Sequence, residues 1–312
     1  MARVCHVEFL HSREESPGDV MPKTLPMVLA FVLMMVLGCS TKSNLTKVGP
    51  APDADVAADV AADVAVSASA VLILTLGDSL TEGVGDSEWT EAGAPVGYPG
   101  RLEARLKASG IDATVQNLGR SGWTSTDLLR GVTWNDPPEP SQMAVAQPLI
   151  AAALAAKAQV VVTVWIGSND LFGLYDWCHE PDHAECEAGA LAEYTANIDE
   201  TLSTLIRPQV TVLIALLDDQ SKRPVVTDPK YAGSFPNIGA AERALMSAQV
   251  QAFNQVIAAK ATLYGARTVD FQATTLFEQA STLADDGNHP NAAGYEQIAA
   301  VWEPAVRAAL AP

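Results

Sequence analysis

The sequence predicts an α/β fold built on a five-stranded parallel sheet covered on both faces, and three observations carry that prediction. Short apolar runs alternate along the chain with longer helical patterns, the arrangement that makes a parallel sheet. The first run, Val71 to Leu76, is continuously apolar, as suits a strand buried on both sides. It also stops abruptly at Gly77, which throws the next residues onto the carboxyl rim of the sheet. In order, the strands are expected at residues 71–76, 113–118, 159–166, 209–217 and 267–271. Helices are expected near 99–109, 142–158, 188–206, 240–264 and 291–310. The last helix follows Pro290, a residue suited to a first helical position. With 48% apolar and 18% charged residues among 312, there is ample material for one core, and no repeat or second domain is visible.

In open α/β sheets ligands bind outside the carboxyl ends of the strands, so the hydroxyl of Ser79, just past Gly77, is placed for chemistry. A serine after a strand is also a common helix cap, so the reading depends on its partners. A serine nucleophile needs a base, usually histidine, and the chain has five: His6, His11, His179, His183 and His289. His289 has a carboxylate at a useful spacing within a turn-forming run. Asp286, three residues earlier, can reach its ring through a turn, and Pro290 restricts its backbone. By itself the Asp-Gly-Asn-His-Pro run is equally a surface turn. Two further strands end on the same rim, at Asn117-Leu118-Gly119 and at Gly167-Ser168-Asn169-Asp170. The N–H groups of Ser79 and Gly119 and the amide of Asn169 are three donors that could converge on one oxyanion.

Taken together, the blocks Gly77-Asp78-Ser79-Leu80, Gly119, Gly167-Ser168-Asn169-Asp170 and Asp286-Gly287-Asn288-His289, in that order, resemble the SGNH hydrolases, the GDSL esterases and lipases. The resemblance covers about residues 70–312 and implies a flavodoxin-like three-layer α/β/α domain. It implies Ser79 as nucleophile, His289 as base and Asp286 as the residue orienting it. Ser79, Gly119 and Asn169 would be the oxyanion donors. The implied activity is hydrolysis of acyl or acetyl esters of lipids or glycans through an acyl-enzyme, with no metal or organic cofactor. The alternative is a catalytically inactive cell-surface binding module on the same fold. The α/β-hydrolases are a different case, because their G-x-S-x-G elbow is absent here.

Ahead of the domain, residues 1–20 show no periodicity, and the true start is expected at Met21. From there Lys23, an apolar stretch from Leu25 to Leu37, and Gly38-Cys39 read as an export signal, too short to span a bilayer. The Gly-Cys ending resembles a bacterial lipobox, which implies cleavage before Cys39, its lipidation, and anchoring to a bacterial membrane on the periplasmic side or the cell surface. The chain thus divides into a signal region at 1–38, a lipidated cysteine with an Ala/Asp/Val-rich tether at 39–69, and a hydrolase domain at 70–312.

Three long connections are expected at residues 133–140, 171–189 and 218–239. The second carries Phe172, Tyr175 and Trp177 and follows Asn169, so it is expected to lid the site. Cys178, His179, His183 and Cys186 could form a zinc set, but an exported protein favours a Cys178–Cys186 disulfide. Without residues 1–38, 16 positive and 33 negative side chains remain. Nucleic acid is therefore not an expected partner, whereas neutral or acylated substrates are.

Overall fold

The computed structural model describes residues 71–87, 96–133, 135, 137–178 and 183–311. The expectations for the start codon, the signal region, the lipidated Cys39 and the tether lie outside the described residues, as do Trp134 and His179.

Five parallel strands form one sheet in the order β2-β1-β3-β4-β5. They are β1 (Val71–Gly77), β2 (Ala113–Asn117), β3 (Gln159–Trp165), β4 (Val210–Leu216) and β5 (Arg267–Asp270). Each agrees with its expected range to within a residue or two at its ends. All of β1 is buried, as is all of β3 beyond its first residue, so the central strands read as continuous apolar runs. The edge strand β5 is short and mostly exposed.

The helices are α1 (Ser79–Glu82), α2 (Gly97–Ala108), α3 (Ser125–Arg130), α4 (Gln142–Ala155), α5 (Ser168–Trp177), α6 (His183–Leu205), α7 (Pro224–Thr227), α8 (Ala240–Tyr264) and α9 (Ala292–Leu310). Parallel β-α-β connections are right-handed almost without exception, which assigns α2 to one face, where it packs against α9. They put α4, α6 and α8 on the other, with α6 against α8. The core between the α2/α9 layer and the sheet is aromatic. Trp165 stacks on Phe271 at 4.1 Å and meets Trp302 edge-on at 6.2 Å, and Tyr98 stacks on Trp302 at 5.7 Å.

The expected lid loop at 171–189 is largely helical. α5 runs to Trp177, and α6 starts at His183, five residues before its expected first residue. The physical reason is burial at helical spacing: Leu171, Phe172 and Tyr175 are all buried. Asn169, Asp170 and Gly173 hide this pattern, since they are weak helix formers. Phe172 and Tyr175 therefore pack the interior, with Phe172 stacked on Phe235 at 4.5 Å. Trp177, at 76% exposure, is the aromatic of the set that faces solvent. Cys178 and Cys186 form a disulfide that ties the end of α5 to the first turns of α6. His183 sets its ring nitrogen 2.8 Å from the Cys178 carbonyl.

Candidate active site

The position of Ser79 follows from the way β1 ends. Asp78 adopts an extended conformation and its carboxylate caps α1 by accepting from the Leu80 N–H at 3.0 Å. Ser79 is thus the first residue of the helix rather than its cap. Its N–H is one of those a helix cannot pair internally. Burial pushes the Asp78 carboxyl up to about 7, against the opposing pull of the Leu80 N–H and the Arg223 charge. Its Oδ2 has no hydrogen-bond partner.

His289 arrives from the far end of the chain. The turn before α9 is closed at its base by the Ala284 N–H donating to the His289 carbonyl at 2.8 Å. Gly287 takes a φ of +69° there, and a Cβ at this position would lie 2.5 Å from the Tyr231 ring, so both conformation and space require glycine. Asp286 Oδ1 accepts from the N–H groups of Asn288 and His289, each at 2.9 Å. Its Oδ2 lies 2.6 Å from His289 Nδ1. With the proton placed on Nδ1 to satisfy that contact, Nε2 is left to accept from the Ser79 hydroxyl at 2.9 Å. Burial would raise the Asp286 carboxyl, but the hydrogen bonds from His289 and the two amides win and hold it at about 2.

The oxyanion candidates flank this row. Gly119 fits against α1 so closely that a Cβ would lie 2.4 Å from the Glu82 nitrogen. Its N–H donates to Asn117 Oδ1 at 3.0 Å, and Asn117 Nδ2 in turn donates to the Thr81 carbonyl at 2.8 Å. Asn169, in the first turn of α5, gives one amide hydrogen to the Trp123 carbonyl at 2.8 Å, which leaves its second for a ligand. Behind it, half-buried Asp170 accepts from the Ser125 N–H at 3.0 Å, and Asn197 donates to the Ser125 hydroxyl at 2.9 Å. Burial lifts the Asp170 carboxyl to about 6, although the Ser125 hydroxyl and N–H pull it down.

The sequence reading named Asn117 without giving it a task and missed Ser125 and Asn197 altogether. A polar residue ending a strand is the one available signal for Asn117. For Asn197, in the middle of an amphipathic helix, there is none. Among the described residues no group of three or more metal-ligating side chains is clustered.

The parallel α/β/α sandwich thus brings Ser79, His289 and Asp286 into one row at the carboxyl rim of its sheet. The profile of the GDSL-like lipase/acylhydrolase family matches residues 75–297, which spans all four blocks. The chain belongs to that family and is an ester hydrolase. No curated protein matches it. Among solved structures it is similar to an α/β hydrolase from the metagenome of Lake Arreo, with 22% identity over 77% of this chain and 96% of that one and a TM-score of 0.49. It is similar to an acetylxylan esterase from Geobacillus stearothermophilus, with 23% identity over 74% and 91% and a TM-score of 0.48. It is also similar to an extracellular lipase from Streptomyces rimosus, with 19% identity over 77% and 99% and a TM-score of 0.49.

Proposed function

We propose that the protein cleaves carboxylic esters by covalent catalysis from Ser79. The observation that carries this reading is the unbroken row Ser79 Oγ, His289, Asp286, with steps of 2.9 and 2.6 Å, assembled from residues 210 positions apart. His289 Nε2 takes the hydroxyl proton as Ser79 Oγ attacks the ester carbonyl, and Asp286 stabilises the imidazolium that results. The same proton then goes to the departing alcohol oxygen. A water enters, gives its proton to His289 and attacks the acyl-Ser79 ester. Collapse of the second tetrahedral intermediate releases the acid and returns the proton to Ser79.

Negative charge on the carbonyl oxygen is met by the Ser79 N–H, the second Asn169 hydrogen and the Gly119 N–H. Gly119 must share its hydrogen with Asn117 Oδ1, which makes it the weakest of the three. The substrate is an acyl or acetyl ester of a lipid or glycan. Release of p-nitrophenol from acetate, butyrate and octanoate esters by residues 70–312, beside Ser79→Ala, tests the reading. Turnover that survives the substitution overturns it.

The protein is further proposed to be exported and lipid-anchored through Cys39, on the strength of Lys23, the 25–37 apolar stretch and Gly38-Cys39. Incorporation of labelled fatty acid that disappears in Cys39→Ser is the expected result. Among the described residues no helix is long and apolar enough to cross a membrane.

A further inference from the structure

The turn that presents His289 is fastened at its base by backbone hydrogen bonds, yet Asp285 and Asp286 are exposed. Something has to hold its tip, and one segment does so through three contacts. The Val225 N–H donates to the Gly287 carbonyl at 2.9 Å, the Tyr231 ring lies against Gly287, and Arg223 Nη1 donates to Asn288 Oδ1 at 2.9 Å. Arg223 is only 1% exposed. Its Nε and Nη2 grip Asp218 Oδ2 and Oδ1 at 2.9 and 2.7 Å, and its guanidinium lies 4.3 Å from the centre of the Phe277 ring. Asp218 stands just beyond β4, so the plane of the guanidinium is fixed relative to the sheet.

We infer that Arg223 is a positioning residue for the hydrolysis: acting through Asn288, it fixes the Asp286–His289 turn so that Nε2 stays within reach of Ser79 Oγ. A buried ion pair is a poor device for stability alone, because its desolvation cost rivals its attraction. Its rigid fork is well suited to holding one orientation. Asp218 neutralises the cation, so the clamp works beside the imidazolium formed during turnover without adding a net charge there.

This inference rests on the ester-hydrolase reading, and the test separates the two. Asn288→Ala removes the acceptor. The paired replacement of Asp218→Leu with Arg223→Met removes the donor without stranding a buried charge. Each is expected to lower kcat by about ten- to a hundredfold, in the range a misplaced catalytic group costs, with KM unchanged. The combined variant should lose little more than the worse of its parents, since one linkage is being removed. Asn288→Asp, which still accepts from the guanidinium, should restore most of the turnover. The downfield N–H proton resonance of the His289–Asp286 pair should broaden in Asn288→Ala and recover in Asn288→Asp.

Unchanged kcat and an unchanged resonance in folded Asn288→Ala overturn the inference, and so does a loss confined to KM. If ester hydrolysis instead survives Ser79→Ala, the reading of the reaction fails, and the resonance still decides whether Arg223 positions the histidine.

Discussion

In the proposed reaction Ser79 Oγ and Asn169 Nδ2 act on opposite ends of one carbonyl bond, so their removal should give different losses. Asn169→Ala forfeits one oxyanion donor and is expected to cost about 100- to 1000-fold in kcat. Ser79→Ala and His289→Ala remove the covalent route itself and should each cost on the order of 10⁴-fold or more. Steady-state kinetics on a p-nitrophenyl ester check all three, and full turnover in Asn169→Ala would remove that residue from the oxyanion site. Ser79 and the Asp286/His289 pair were legible in the sequence because the chemistry demands those residue types, and because a three-residue spacing already brings carboxylate to imidazole. The neighbours that orient them were not. Arg223 and Asn288 are 65 residues apart, as are Gly77 and Gln142, whose side chain pairs with both the N–H and the carbonyl of Gly77. Contacts of that kind have no local pattern.

Among the elements, the strands were legible and the short helices were not, for one reason. A central parallel strand meets apolar surroundings on both faces, so β1 and β3 show as unbroken runs. α1, α3 and α7 are four to six residues long, too short for a 3.6-residue period to declare itself. α5 is long enough but begins with the polar residues Ser168, Asn169 and Asp170. The disulfide at its far end belongs to this scale. It closes a loop of sequence separation 8, for which the chain-entropy view gives about 2–3 kcal/mol. Replacing Cys178 and Cys186 by serine should therefore lower the thermal midpoint by about 4–12 °C, while the active-site row, at the opposite end of α5, keeps its geometry. Scanning calorimetry and an activity assay on the double variant check both halves. A midpoint that does not move would show that helix packing alone holds the segment.

For the molecule as a whole, the carboxyl groups of Asp78, Asp170 and Asp286 contribute to the dependence of stability on pH. Asp78 and Asp170, raised from 3.8 to about 7 and about 6, keep a proton in the fold that the unfolded chain has already released. Their contribution to stability is full below pH 3.8 and is lost as pH climbs through those values. Asp286, lowered to about 2, has the opposite sign. Its contribution is present above pH 3.8 and is lost as pH falls toward 2. Urea denaturation from pH 3 to 8 should show the pH 4–7 slope becoming shallower in Asp78→Asn. An identical slope would mean that Asp78 is ionised in the fold throughout. A net formal charge of −18 adds self-repulsion as pH rises, so moderate salt should favour the folded state at pH 8 more than at pH 5.

The sheet order also carries a consequence for how activity is acquired. Ser79 follows the first described strand, and the histidine proposed as its base lies in the turn before the last helix, 210 residues later. A chain emerging from the ribosome therefore has the proposed nucleophile long before it has the group proposed to deprotonate it. Every strand must be threaded into register, and α9 must settle against α2, before the proton can move. Contacts this distant in sequence are slow to form. In a refolding experiment the return of ester hydrolysis should accordingly lag behind the return of helical circular dichroism, marking completion of the whole architecture rather than of any one part.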